Sequence, residues 1–322
     1  DGPADVYVVN TCTVTGRSDY RSRQMLRRAA RRDEEALVVA TGCYAQREPD
    51  ALAGMPEVDL VVGNSSKREL ARLVCERLDA GPGHAPDTDV TVEALEDEPF
   101  EAYDITRFRG YTRAFIKIQD GCDHRCAYCA VPDARGPSRS RRFEDVLRQA
   151  SLLVDNGYRE MVLTGVHIGA FEAPDGRELP ELLTELAKIE GLARIRLGSV
   201  EPRELTTELA QTILGTAKVC NHLHVPLESG SDTVLERMRR GYTRDDYARA
   251  VRSVTDADAL CGLGTDIMVG VPGETEEDFA ASVSLIESLP FTYLHVFAFS
   301  PRGGTPAAGM DGQVPPAESK RR

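Results

Sequence analysis

Gly121-Cys122-Asp123-His124-Arg125-Cys126-Ala127-Tyr128-Cys129 gathers three thiols into one short loop. Their spacing is Cys-x3-Cys-x2-Cys, and the loop directly follows the strand-like run Arg113-Ala114-Phe115-Ile116-Lys117-Ile118-Gln119. Three thiolates hold three corners of a 4Fe–4S cluster and leave the fourth iron open to a cofactor or substrate, whereas a carrier cluster with four cysteine ligands has no open corner. Structural zinc is the rival reading. It wants four ligands, usually in paired Cys-x2-Cys knuckles, so the fourth would be His124 or a distant residue. A disulfide framework is disfavoured. The chain has 322 residues, 8 cysteines and neither a signal peptide nor a membrane-length apolar run. That pattern predicts a reducing, cytoplasmic setting.

Outward from the loop, composition sets bounds. The net charge of −13 argues against a generally basic nucleic-acid coat. A hydrophobic content of 41% suffices for ordinary cores, and the length suggests two domains. Arginine is unevenly placed. One group runs from Arg17 to Arg32 and includes Arg21, Arg23, Arg27 and Arg28. A second, Arg135, Arg139, Arg141 and Arg142, follows the cysteine loop. Each group is either a solvated face or a phosphate-binding surface.

Residues 1–80 read as a small α/β domain. Val6–Asn10, Leu37–Ala40 and Asp59–Gly63 have the apolar character of buried parallel strands, with helical stretches at 18–32, 47–53 and 66–78. Cys12 and Cys43 stand just beyond two strand ends, where parallel sheets bind ligands. A metal site shared by the two is favoured over two inert thiols. Cys75 reads as a packing residue in mid-helix. A strand so near residue 1 suggests that a preceding strand with another cysteine is missing.

Residues 81–105 read as a solvated linker, with Pro82, Pro86, Pro99 and a run of acidic residues. Residues 106–322 then repeat strand and helix. Strands are expected at 114–119, 161–164, 195–198, 223–225, 265–269 and 293–299. The fold class is therefore α/β, with a small parallel sheet followed by a partial (β/α)6 TIM-like barrel. Barrels gather their chemistry at the carboxyl ends of strands. The cysteine loop sits at such an end. So do Gly165, Ser199, Glu201 and Glu228, for which helix capping and tight turning are equally open readings. His222 and His224 read as structural, Cys220 and Cys261 as packing thiols.

The loop resembles the radical S-adenosylmethionine (SAM) superfamily, whose signature is Cys-x3-Cys-x-aromatic-Cys with Tyr128 at the aromatic position. The resemblance implies that Cys122, Cys126 and Cys129 ligate iron and that Tyr128 lies by the adenine of SAM. It also implies that Gly165 lets backbone approach the methionine moiety, and that Ser199, Glu201 and Glu228 bind its amino or ribose groups. Relatives often carry Gln where Glu228 stands.

Asn10-Thr11-Cys12 and Thr41-Gly42-Cys43-Tyr44-Ala45-Gln46, placed upstream of such a loop, resemble the methylthiotransferase family over essentially the whole chain. That family binds a second 4Fe–4S cluster through three amino-terminal cysteines. Cys12 and Cys43 match the second and third, and the first has no counterpart here. Its carboxyl-terminal RNA-binding TRAM domain is also absent, since the chain stops at Lys320-Arg321-Arg322. Three branches act on isopentenyl-adenosine in tRNA, on a ribosomal-protein aspartate, and on N6-threonylcarbamoyladenosine in tRNA. Ser22-Arg23-Gln24 and Phe115-Ile116-Lys117-Ile118-Gln119-Asp120-Gly121-Cys122 are most similar to the third. The resemblance then implies methylthiolation at carbon 2 of that adenine, with two 4Fe–4S clusters, one of them incomplete in this chain, and SAM. The implied partners are a tRNA anticodon stem-loop and an electron donor such as flavodoxin or ferredoxin. No membrane is involved, and the protein acts as a monomer in the cytoplasm. Arg21, Arg23, Arg27, Arg28, Arg139 and Arg141 are the candidate phosphate contacts. The competing class is a non-catalytic iron–sulfur or zinc RNA-binding module.

Overall fold

A computed structural model describes residues 4–79, 88–95, 100 and 102–322. The first sheet is parallel, in the order β1 (Val6–Thr11), β2 (Leu37–Gly42), β3 (Leu60–Val62) and β4 (Asp89–Thr91). β2 is buried throughout, and its first four residues are apolar, because both its faces are covered. Val38 and Ala40 pack with Leu26 and Leu52 on one side, and Leu37 and Val39 with Leu60 and Val62 on the other. The helices around this sheet are α1 (Gly16–Ala30), α2 (Cys43–Arg47), α3 (Pro49–Ala53) and α4 (Leu70–Asp79). Thr15 caps α1 by accepting a hydrogen bond from Ser18 N.

β4 corrects part of the expected linker. Asp89-Val90-Thr91 pairs with β3, and Val92 packs on the first core. The acidic neighbours of this short strand hid its alternation of polar and apolar residues. Pro82, Pro86 and Pro99 lie outside the described residues.

The larger unit begins with β5 (Ala114–Lys117) and a two-stranded antiparallel pair, β6 (Gln119–Asp120) and β7 (Arg139–Ser140). The long strand expected at 114–119 is thus split at Ile118, and its end turns to frame the cysteine loop. Four further strands follow: β8 (Glu160–Thr164), β9 (Arg194–Leu197), β10 (His222–His224) and β11 (Gly262–Val269). β12 (Phe291–Ala298) ends the set. β5-β8-β9 and β10-β11-β12 are parallel, and bridges Ile195↔Val219 and Ser199↔His224 join the two sheets into one partial barrel.

Helices α5 (Val131–Arg135), α6 (Phe143–Asp155), α7 (Leu179–Ala187), α8 (Thr207–Gly215) and α9 (Asp232–Arg237) come in chain order. They are followed by α10 (Arg244–Thr255), α11 (Glu276–Ser288) and α12 (Pro316–Arg321). Phe143, Leu153, Leu182, Tyr247 and the outward residues of the strands form one core. Each fully buried Leu or Phe there contributes about 1.5–3 kcal/mol.

The segment after β12 returns to the first sheet. Arg302 Nη2 donates to Thr13 Oγ1 and Asp19 Oδ2, both at 2.6 Å, and all three side chains are buried. This contact ties the Cys12 loop to the barrel. Among the described residues no helix is long and apolar enough to cross a membrane.

Candidate metal centre

The cysteine loop is clamped from several sides. Gln119 is fully buried, and its Nε2 donates to the carbonyls of Asp120 and Gly121 and to Ser138 Oγ. Its Oε1 accepts from His167 N at the end of β8. Gly121 has φ +72, and a Cβ there would lie 1.8 Å from Pro137 O, so only glycine fits. Ala127 N donates to Met238 O, and Ala127 O accepts from Ala307 N.

Each thiol has polar company. Val131 N donates to Cys129 Sγ at 3.4 Å, and Arg240 Nη1 to Cys126 Sγ at 3.3 Å. Cys122 Sγ lies 3.9 Å from His167 Nδ1. Burial pushes the Cys129 thiol up to about 11, and the neighbouring Cys126 and Cys122 add to the rise. Burial likewise raises Cys126, against the Arg240 guanidinium. Three thiolates in one loop repel one another, so a bound cation is what lets all three ionise together. The donors aimed at sulfur, the crowded thiols and the glycine cradle fit a cluster held by three cysteines.

Arg240 organises the adjoining wall. It is buried, donates to Tyr128 Oη at 3.3 Å and to Tyr242 Oη at 3.1 Å, and pairs with Glu201 Oε2 at 2.5 Å. Glu228 closes the group beside Tyr128. Burial raises its carboxyl to about 7 despite Arg240, and Oε2 has no partner. The structure thus brings Tyr128, Glu201 and Glu228 together beside Cys126. Ser199 stands apart, bonded to His224 Nδ1 at 2.9 Å. At Gly165 a Cβ would meet Gln119 O and Ile168 Cγ2 at 2.9 Å, so close packing of the protein itself accounts for that glycine.

Sequence reasoning passed over Arg240, which sits in an Arg239-Arg240-Gly241 run that reads as surface. It also passed over His167 and Glu204, which pair beside Cys122. Burial opposes the charge on His167, but Cys122 and Glu204 outweigh it and lift the imidazole to about 10. Donor atoms of Cys122, His124 and His167 lie within 4.8 Å of one another, the arrangement the zinc reading would use.

The first sheet supplies the second pair of thiols. Thr11↔Gly42 is the last paired position of β1 and β2, so Cys12 and Cys43 leave adjacent strands side by side. Thr11 Oγ1 donates to Thr41 O and accepts from Ala45 N, which holds the two strand ends together. Cys12 N donates to Ser22 Oγ. Asn64 Nδ2 reaches both Cys43 Sγ at 3.5 Å and Ala134 O at 2.7 Å. Ala134 belongs to α5, which follows Cys129 directly, so the two cysteine groups face a common contact. Cys75 is exposed rather than packed.

The arginines divide. Arg21 and Arg28 are exposed on α1. Arg23 donates to Tyr44 Oη, and Arg27 pairs with Glu57 at 3.5 Å. Arg139 pairs with Asp120, and Arg141 is only 4% exposed. Lys117, Arg135 and Arg139 surround Asp120, which precedes the loop. Arg135 and Arg139 of the second arginine group therefore brace the loop in this conformation.

Residues 116–286 match the Radical SAM superfamily, and residues 1–63 match Uncharacterized protein family UPF0004. The threonylcarbamoyladenosine tRNA methylthiotransferase MtaB of Bacillus subtilis is 42% identical over 97% of this chain and 68% of its own length. Its Aquifex aeolicus counterpart is 40% identical over 99% of this chain and 77% of its own. The chain belongs to the radical SAM methylthiotransferases.

Another member of that family, the tRNA-2-methylthio-N(6)-dimethylallyladenosine synthase of Aquifex aeolicus, is 33% identical over 97% of this chain and 71% of its own. Among solved structures, the radical SAM methyltransferase TsrM of Kitasatospora setae, with cobalamin and a [4Fe-4S] cluster bound, shares the fold. Its TM-score is 0.68 at 21% identity, over 94% of this chain and 65% of that one.

Proposed function

We propose that this methylthiotransferase adds a methylthio group to carbon 2 of N6-threonylcarbamoyladenosine beside the anticodon of tRNA. The observation that carries the choice of substrate is the identity of 34–42% to four relatives of that activity, each over 97–100% of this chain. Residues 1–80 act as the sulfur-delivering domain and 106–322 as the radical domain. Residues 81–105 connect them and add β4 to the first sheet.

Cys122, Cys126 and Cys129 would hold the SAM-binding 4Fe–4S cluster. Cys12 and Cys43 would hold two corners of the second. When bound, the first cluster and SAM supply a carbon-centred radical. Carbon 2 needs that chemistry, because its C–H bond is strong and non-acidic and no side-chain base can activate it. The chain's own residues position and shield. Arg240 fixes Tyr128 and Glu201 beside Cys126, Gln119 locks the loop to β8, and Asn64 joins the Cys43 turn to α5. Exposed Arg21 and Arg28 take RNA phosphates, and the unstacked loop base enters the barrel mouth. A flavodoxin- or ferredoxin-type donor supplies electrons to a monomer working in the cytoplasm.

The test is anaerobic reconstitution of the full-length protein, followed by incubation with reductant, SAM and an anticodon stem-loop carrying threonylcarbamoyladenosine. Retention of about eight irons and a methylthio mass gain on that nucleoside are expected. A colourless zinc protein without product would return the chain to the RNA-binding class.

A further inference from the structure

The barrel mouth holds a polar constellation that the cluster chemistry leaves unused. Ser199 just beyond β9, His224 at the end of β10, Asp266 within β11 and Tyr293 and His295 within β12 meet there. His295 Nδ1 lies 3.2 Å from Asp266 Oδ1, and His224 Nε2 lies 3.4 Å from the same oxygen. The Tyr293 ring forms the floor. It fills the space where Gly264 lacks a Cβ, and its centroid lies 5.9 Å from that of His224 and 5.3 Å from that of His295. The site adjoins the cluster loop, since Glu228 N donates to Asp266 O at 2.8 Å and the Glu228 side chain lies beside Tyr128.

Two features mark it as a binding site rather than packing. His224 is 8% exposed, and its Nε2 forms no hydrogen bond although the Asp266 carboxylate lies 3.4 Å away. A buried donor that a long ion pair leaves unbonded is costly, and a ligand that supplies the bond recovers that cost. His295 by contrast has a side chain 63% exposed, so the constellation opens to the outside. Its Nδ1 is oriented by Asp266, which leaves Nε2 for an incoming group. Burial would raise the Asp266 carboxyl, but the two imidazoles outweigh it and hold it below its ordinary range.

The two substituents that relatives of this family accept at N6 differ sharply in polarity. A dimethylallyl group is a hydrocarbon and would offer His224 Nε2 no hydrogen bond. A threonylcarbamoyl group ends in a carboxylate and a hydroxyl. We propose that His224, Asp266 and His295 form the subsite for the threonine end of the substituent, His224 Nε2 donating to its carboxylate and His295 Nε2, its tautomer set by Asp266, accepting from its hydroxyl. This rests on the substrate reading above. A site built around hydrogen bonds rejects an analogue that lacks them more strongly than an apolar pocket rejects an extra methylene. The trio thereby sets specificity as well as affinity.

The experiment compares full-length, cluster-loaded wild type with His295→Leu and Asp266→Asn. Binding is measured to two anticodon stem-loops that differ only in whether the target adenosine carries threonylcarbamoyl. Wild type is expected to prefer the modified RNA by about tenfold or more, the worth of a charge-assisted hydrogen bond. Both variants are expected to lose that preference while keeping the affinity for unmodified RNA, a pattern that a folding defect would not give. A preference unchanged in both variants overturns the subsite while leaving the substrate reading intact. A wild type that shows no preference, and modifies only RNA carrying dimethylallyl-adenosine, overturns both. Stoichiometric Zn2+ or Mn2+ binding by the cluster-loaded wild type that both variants abolish also overturns the proposal, in favour of a cation site at the trio.

Discussion

Glu228→Gln tests the wall beside the cysteine loop most quantitatively. Glu228 is 7% exposed, and burial raises its carboxyl from the ordinary 4.5 to about 7. Below pH 4.5 the folded and unfolded chains both keep the proton, and this group's contribution is fully present. From there to pH 7 the unfolded chain releases it while the folded chain holds it, so stability falls. Above pH 7 the loss is complete. The gap corresponds to about 3 kcal/mol. Gln is isosteric and never ionises. Urea unfolding of cluster-free wild type and variant at pH 5 and pH 8 isolates the group. Relative to wild type, the variant should gain about 3 kcal/mol between the two pH values. Parallel pH profiles for the two proteins would refute the burial argument.

Three other perturbations follow from the same contacts. Arg302→Ala leaves Asp19 buried without its partner and should cost about 3–5 kcal/mol in urea unfolding, with Asp19→Asn recovering part of the loss in the double variant. Gly121→Ala drives a Cβ into Pro137 O. It should roughly halve the iron retained after reconstitution of the full-length protein, and full iron content would show that the loop tolerates the strain. Arg21→Ala with Arg28→Ala removes two exposed cations from α1. The salt dependence of tRNA binding should then flatten by about 1.5 in log–log slope. An unchanged slope separates that helix from the RNA.

The strands were legible because parallel strands buried on both faces are apolar runs, as Leu37-Val38-Val39-Ala40 shows. The cysteine loop was legible because its spacing is local. β4 was not, since Asp89-Val90-Thr91 is short and lies among acidic residues. The split of the 114–119 strand depends on Gln119 turning to hold the loop, which no periodicity reveals. The site was half legible for a similar reason. Cys12 and Cys43 could be paired from strand-end logic. Arg240 and Glu201 meet only across the barrel, so a tertiary ion pair decides their role. Arg139 and Arg141 read as candidate phosphate contacts, since their ion pairs with Asp120 and Asp104 are not visible in the local sequence.

The central claim concerns one carbon of one nucleoside. Mass spectrometry of tRNA nucleosides, from a strain lacking the gene and from the same strain complemented with it, addresses that claim directly. The account predicts that the 2-methylthio group disappears from threonylcarbamoyladenosine in the first strain and returns in the second. Persistence of that modified nucleoside without the gene, or loss of the methylthio group from a dimethylallyl-adenosine instead, would contradict it.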